Sequence, residues 1–180
     1  DMICTINEAN LTSCFAHSFQ SYPEHGMKAI MPFIKEAAEE CGSTLENFGP
    51  FLFGHQFKIR DCMMEAHVKS VPVIKSILKN NQPVGVTLSI MDYQAAEDGE
   101  AMRDKAYAES VDCCLDQVIN DDFVGVQMYT RHTYGPDGII KPKADDPNML
   151  VMGYEYYPES LENVVRYVSS KTNTPIMLTE

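Results

Sequence analysis

The chain has no tryptophan among its 180 residues, so the largest flat aromatic face available to a protein is missing from any surface it uses for recognition. Positive charge is scarce too. There are 14 Lys and Arg against 26 Asp and Glu, a formal net charge of -12, and so acidic a chain repels phosphate backbones and anionic lipid surfaces. Neither nucleic acid nor membrane is expected as a partner. The acidic excess is spread over patches such as Glu36 to Glu40 and Asp92 to Asp104, which read as solvated faces. No stretch reaches the roughly 20 apolar residues that cross a bilayer, and no basic-then-apolar leader opens the sequence.

Several chemistries are disfavoured by missing motifs. There is no Gly-x-Gly-x-x-Gly, no phosphate loop and no Gly-x-Ser-x-Gly elbow, which argues against dinucleotide, nucleoside triphosphate and serine-hydrolase chemistry. The six cysteines (Cys4, Cys14, Cys41, Cys62, Cys113, Cys114) form no Cys-x-x-Cys pair, and His17, His25, His55, His67 and His132 show no metal-ligand spacing. No metal or organic cofactor is expected. The cysteines read as buried thiols, vicinal Cys113-Cys114 as core filler, and the histidines as satisfied structural residues. Scattered thiols fit a reducing compartment, so a cytoplasmic location is expected. The opening Asp1-Met2-Ile3-Cys4 reads as the interior of a strand, which implies that a longer protein precedes it.

Short apolar runs recur at Met2 to Ile6, Val84 to Ile90, Phe123 to Met128 and Ile176 to Leu178. Near-continuous apolarity over so few residues suits strands of a parallel sheet covered on both faces. Between them Met27 to Cys41, Asp61 to Lys79, Glu97 to Ile119 and Glu159 to Lys171 have helical periodicity. Such alternation implies right-handed crossovers and an α/β fold, either an open doubly wound sheet or a closed barrel. Asn80-Asn81-Gln82-Pro83 and Thr172-Asn173-Thr174-Pro175 mark helix-to-strand boundaries, and Pro158-Glu159 marks a helix start. Pro72 predicts a kink or two shorter helices. Residues 131–150, rich in Gly, Pro and Asp, predict a long loop after the third strand. No repeat or flexible linker divides the chain, so residues 1–180 are expected to form one domain.

Two apolar runs each deliver a glutamate at a strand end, Glu8 after Thr5-Ile6-Asn7 and Glu180 after Leu178-Thr179. On parallel strands of one barrel they would face each other as a carboxylate pair. Such a pair suits glycoside hydrolysis, in which one carboxyl protonates the departing oxygen and the other attacks or activates water. A gap of about 5 to 5.5 Å retains stereochemistry and one of about 6.5 to 9.5 Å inverts it. On spacing alone, two ordinary surface glutamates are the better account of the pattern.

Four signatures in order carry a resemblance. They are Thr5-Ile6-Asn7-Glu8-Ala9-Asn10, Asp122-Phe123-Val124-Gly125-Val126-Gln127-Met128-Tyr129-Thr130-Arg131, Gly153-Tyr154-Glu155-Tyr156-Tyr157-Pro158-Glu159-Ser160-Leu161 and Pro175-Ile176-Met177-Leu178-Thr179-Glu180. Together they resemble glycoside hydrolase family 1, the β-glucosidase family, from its fourth barrel strand to its seventh. The resemblance implies a partial (β/α)8 TIM barrel of about four parallel strands with covering helices. It also implies a retaining β-glycosidase acting on terminal O-linked β-glucosides, with a small β-glycoside as its partner. In it Glu8 would be acid and then base, Glu180 the nucleophile, Asn7 a ligand of the sugar 2-hydroxyl, Gln127 a sugar contact, and Tyr129 the hydroxyl that holds the nucleophile. The acid role calls for a carboxyl that keeps its proton, which a neighbouring carboxylate charge favours.

The pattern departs from the family at Ala9 (proline in the motif), Gln127 (asparagine) and Tyr154 (tryptophan). Leu11 to Arg60, with Gly49-Pro50-Phe51-Leu52-Phe53-Gly54, does not match the family's loop and would reshape the entrance for the leaving group. Four strands cannot close an eight-stranded barrel, so the chain alone is expected to be inactive, with the open edges of its first and last strands prone to pairing. Other sugar preferences, such as galactoside or 6-phosphoglucoside, and a non-catalytic carbohydrate-binding relative are the alternatives. Oligomeric state is not legible.

Overall fold

The structure is a computed structural model describing residues 1–18, 24–45, 47–49, 55–143 and 145–180, with only the backbone of 24–29. In chain order the elements are β1 (Ile3–Cys4), α1 (Leu11–Ser18), α2 (Glu24–Glu40), α3 (Gln56–Ile77), β2 (Val84–Ser89), β3 (Asp92–Ala95) and α4 (Glu100–Tyr107). There follow a π-helical turn (Ala108–Asp112), α5 (Cys113–Leu115), β4 (Phe123–Gln127), β5 (Arg131–Gly135), β6 (Gly138–Ile139), α6 (Ser160–Lys171) and β7 (Ile176–Leu178).

Strands β1, β2, β4 and β7 form one parallel sheet in that spatial order, each successive pair joined through helical segments. This is the α/β arrangement that the apolar runs predict, an open sheet of four parallel strands. Every residue of β2 and β4 is buried, which is why their sequences lack the alternation of a half-wet strand. Val86, Leu88, Val124 and Val126 pack with Met64, Val111, Leu115, Val164 and Val168 from the covering helices in one apolar core. Gly85 permits the closest strand approach, since a Cβ there would lie 2.1 Å from the Phe123 carbonyl oxygen.

The foot of the sheet is tied by polar contacts. His67 of α3 is fully buried, with Nε2 2.9 Å from Asp121 Oδ2 and Nδ1 2.7 Å from Thr5 Oγ1, so one imidazole links a covering helix to β1 and to the start of β4. Such a buried pair costs desolvation and is tolerated because each ring nitrogen faces a polar atom.

Several expectations need correction. Residues 131–150 are not simply a loop: β5 pairs in parallel with β3 and antiparallel with β6, making a second, three-stranded sheet beyond the ends of β2 and β4. Of the two outcomes expected at Pro72, the division into two shorter helices does not occur: α3 runs from Gln56 to Ile77 with Pro72 on its exposed face. The helical stretch from Glu97 to Ile119 is interrupted by the π-turn, which adds a residue to one turn ahead of Cys113. Of the cysteines only Cys14 and Cys114 are buried; Cys4, Cys41 and Cys62 are exposed and Cys113 is half-buried. The extra helical piece after β1 is present as α1, whereas Pro50 to Gly54 lie outside the described residues.

His132 on β5 stacks on Tyr93 at 6.1 Å, and its Nδ1 is buried without a partner among the described residues. Burial pushes its pKa down to about 4. The unfolded chain therefore takes up a proton near pH 6.5 that the folded chain refuses until about 4, so stability is lost as pH falls across that window and levels off below it. Urea melts of the wild type and His132→Gln at pH 7 and pH 4.5 are expected to differ in their pH response by on the order of 2 kcal/mol, the variant being flatter.

Candidate functional site

The site forms where the main sheet ends. At β1 the chain leaves the sheet through Asn7 and Glu8, and Glu8 sits at φ 48°, a left-handed conformation that is strained for a side-chain-bearing residue. Thr87 of β2 holds it there. The Glu8 backbone N–H donates to Thr87 Oγ1 at 2.9 Å, the Thr87 hydroxyl donates to Asn7 Oδ1 at 3.0 Å, and the Ala9 N–H donates to the Thr87 carbonyl at 3.2 Å. A second lock lies just beyond. Buried Asn10 donates from Nδ2 to the carbonyls of Ser89 (2.8 Å) and Ser110 (2.9 Å) and accepts the Ser89 N–H on Oδ1 at 2.8 Å. The turn after β1 is thereby bonded to the end of β2 and to the π-turn.

Glu180 arrives from β7, with the Thr179 N–H donating to the Val126 carbonyl at 3.0 Å and the Met128 N–H to the Glu180 carbonyl at 3.3 Å. Between the two glutamates stands Tyr129, just past β4. Its phenol contacts Glu8 Oε1 at 2.9 Å and Glu180 Oε2 at 2.5 Å. Those two carboxylate oxygens therefore lie no further apart than the sum of the two contacts. Burial first, then its bonds to Glu180 and Glu8, raise the Tyr129 pKa, so the phenol stays protonated. A phenol carries one proton for two carboxyl neighbours. Either it is shared in a three-centre bond, or one carboxyl holds a proton of its own and donates it to the phenol oxygen.

Asn7 and Gln127 also meet. Gln127 Nε2 donates to Asn7 Oδ1 at 3.1 Å, so that oxygen accepts from two donors and the Asn7 amide N–H groups remain for a ligand on its exposed side. Gln127 is buried and its Oε1 has no partner among the described residues. All five residues singled out from the sequence, Asn7, Glu8, Gln127, Tyr129 and Glu180, thus belong to one hydrogen-bonded cluster. Gly125 makes the cluster possible: a Cβ there would fall 2.6 Å from Thr87 Cγ2 and 3.1 Å from Thr179 Cγ2, between the residues that carry the two glutamates.

Other contributors escape sequence reasoning. Thr87 and Asn10 are ordinary polar residues in apolar surroundings, and only their burial reveals a role. Arg131 and Glu155 form a bidentate pair at 2.5 and 2.8 Å, and the Arg131 guanidinium lies 3.8 Å from the centre of the Tyr157 ring. Thr130 Oγ1 accepts the Glu155 N–H at 3.0 Å. These contacts tie down the segment carrying Tyr154, whose ring stacks on Tyr129 at 5.9 Å. The tyrosine standing for tryptophan therefore keeps a stacking position beside the carboxylates. Beyond it opens a cavity of about 730 Å³ lined by Met91, Arg131, His132, Met149, Met152 and Tyr154. None of the five cluster residues lines that cavity; Tyr154 joins the two. Among the described residues, no cluster of His, Cys, Asp and Glu could hold a metal ion.

No protein-family model matches the sequence, and no curated protein matches it. Solved structures do. A β-glycosidase designated BGL167 superimposes with a TM-score of 0.78 at 31% identity, over 99% of this chain and 42% of that one. A β-glucosidase designated 1317 gives 0.76 at 27%, over 99% and 42%. The β-glucosidase of Pyrococcus furiosus gives 0.54 at 23%, over 71% and 31%, and shows a shared fold alone. The structural neighbours are β-glucosidases. This chain spans less than half the length of each.

The Asn10 lock can be tested without any ligand. Asn10→Ala would leave the Ser89 N–H unpaired in the interior and strip the amide donor from the Ser89 and Ser110 carbonyls, which keep thiol contacts from Cys14 and Cys114, so unfolding in urea is expected to lose about 1 to 3 kcal/mol. Gly125→Ala is expected to cost about 1 to 3 kcal/mol in the same measurement, through the contact forced on Thr87 and Thr179.

Proposed function

We propose that this chain carries the catalytic carboxylates of a retaining β-glycosidase of the glycoside hydrolase family 1 type, acting on terminal O-linked β-glucosides. The observation that supports it most directly is the Tyr129 phenol bonded to both Glu8 and Glu180, which brings two carboxyls together at one end of the sheet, as double displacement requires.

In this reading Glu180 attacks the anomeric carbon while Glu8, entering with a proton, passes it to the departing glycosidic oxygen. A covalent glycosyl-enzyme forms and the aglycone leaves. Glu8, now a carboxylate, takes a proton from water, which attacks the same carbon and releases Glu180. Tyr129 holds the nucleophile during the first step and gives up its bond to Glu180 as that oxygen becomes an ester. The free N–H groups of Asn7 bond the sugar 2-hydroxyl, a contact that strengthens as the ring flattens. Gln127 fixes the Asn7 amide through its own Nε2, which gives it a positioning role beside any sugar contact. Tyr154 presents an aromatic face where the sugar or its leaving group can stack.

With four strands of a barrel that needs eight, the chain alone is expected to show no turnover. Activity should therefore be measured in a chimera in which the matching β-glycosidase supplies the remaining strands. Release of nitrophenol from nitrophenyl β-glucoside is expected, with Glu180→Gln and Glu8→Gln each lowering kcat about 10² to 10⁴-fold. Nuclear magnetic resonance of the first product should show the β-anomer. Unchanged release in both variants, or an α-anomer, would remove the assignment.

A further inference from the structure

The π-turn and α5 place chemistry away from the carboxylate cluster. Cys113 and Cys114 are neighbours in sequence, yet they face different surroundings. Cys114 is fully buried, whereas Cys113 is half-buried and within reach of solvent. Their sulfurs are 3.9 Å apart, close enough for the Cys114 S–H to lean on the Cys113 sulfur. The Arg60 guanidinium is brought to the same spot from α3. Its Nη1 donates to the Glu109 carbonyl, the same oxygen that faces Cys113 Sγ at 3.7 Å. A second thiol and a buried cation therefore lie beside one accessible sulfur. Part of the cation's charge is taken up by Asp61, 2.5 Å from Arg60 Nη2, but the guanidinium itself is buried and confined.

We propose that Cys113 is a thiol-modification site that forms mixed disulfides with small disulfide molecules, Cys114 and Arg60 acting as positioning residues. In the reaction the Cys113 proton goes to solvent and the thiolate attacks one sulfur of the disulfide. A new sulfur–sulfur bond forms, the old one breaks, and its electron pair leaves on the other half as a thiolate. The Cys114 thiol, and behind it Arg60, hold Cys113 down to about 7 against the opposing pull of burial. Buried Cys14 is the contrast, pushed up to about 12 by its surroundings. The site does not depend on the glycosidase reading, and its failure would leave that reading untouched.

The test sets electrostatics against exposure. If access alone decided reactivity, Cys4, Cys41 and Cys62 would react before Cys113, because all three are more exposed. The 180-residue chain is treated with substoichiometric dithiobis(nitrobenzoate), and in parallel with glutathione disulfide, and the label is located by peptide mass spectrometry. Cys113 is expected to carry most of it near pH 7, reacting about threefold faster than the exposed cysteines, because its larger thiolate fraction outweighs the lower nucleophilicity of a less basic thiolate. Its rate should rise with pH through a midpoint near 7. The midpoint should move up toward roughly 8.5 in Cys114→Ala, while Cys41→Ser leaves it in place. Labelling in order of exposure, or a fast phase that survives Cys113→Ser, would overturn the proposal. Peptide mapping of the wild type separates these outcomes without any variant.

Discussion

One phenolic hydroxyl connects the two ends of this chain. Tyr129 reaches Glu8, eight residues from the start, and Glu180, the last residue, and the geometry of the cluster follows from satisfying both. Two carboxylates brought within about 5.5 Å repel each other unless something between them supplies positive character, and here that is a single O–H. The same scarcity of protons that strains the resting cluster gives it chemical capacity. A proton added to either carboxyl would settle the repulsion, and in the proposed double displacement the loss of one carboxylate charge to a covalent bond would settle it again.

The sheet exists, in this sense, to hold that contact. Parallel pairing in the order β1, β2, β4, β7 delivers every strand end to the same side, so residues separated by up to 172 positions in sequence arrive together without a loop having to search for them. Precision then comes from the neighbours. Thr87 binds the backbone and side chain on either side of Glu8, Asn10 bonds the following turn to β2 and the π-turn, and Gly125 leaves the space that both threonines fill. The left-handed φ at Glu8 is held by these bonds, an instance of strain kept at a site by the structure around it.

How much of this was legible in the sequence follows from what each feature depends on. Strands β2 and β4 were readable because burial on both faces leaves a run of Val, Leu and Phe that no exposed segment would tolerate. The glutamates were readable by their position at the ends of such runs. The second sheet was not. β5, Arg-His-Thr-Tyr-Gly, has no apolar alternation, and it becomes a strand only because β3 lies alongside to bond it. The continuity of α3 through Pro72 was hidden for a related reason: local propensity forbids it, and whether the freed carbonyl faces water is a property of the fold. The roles of Thr87 and Asn10 were hidden too: Thr87 is one polar residue in an apolar run and Asn10 one more polar residue after Glu8, and neither stands out until its partners are seen. Exposure of Cys4, Cys41 and Cys62 likewise contradicts what composition suggests for thiols.

The replacement of tryptophan by Tyr154 looks like a loss when the sequence is read alone, yet the structure gives it a different weight. The ring lies against Tyr129 at 5.9 Å and an interplanar angle of 28°, so Tyr154 is braced by the residue that bonds both carboxylates. The bidentate Arg131–Glu155 pair, covered by Tyr157, fixes the backbone beside it. A smaller ring on a rigid mount can present its face with little entropy lost on binding, which offsets part of the area given up. The cavity beyond Tyr154, floored by methionines, follows the same logic. Methionine adapts its shape to what it touches, so this wall of the cavity is softer than the tyrosine edge beside it.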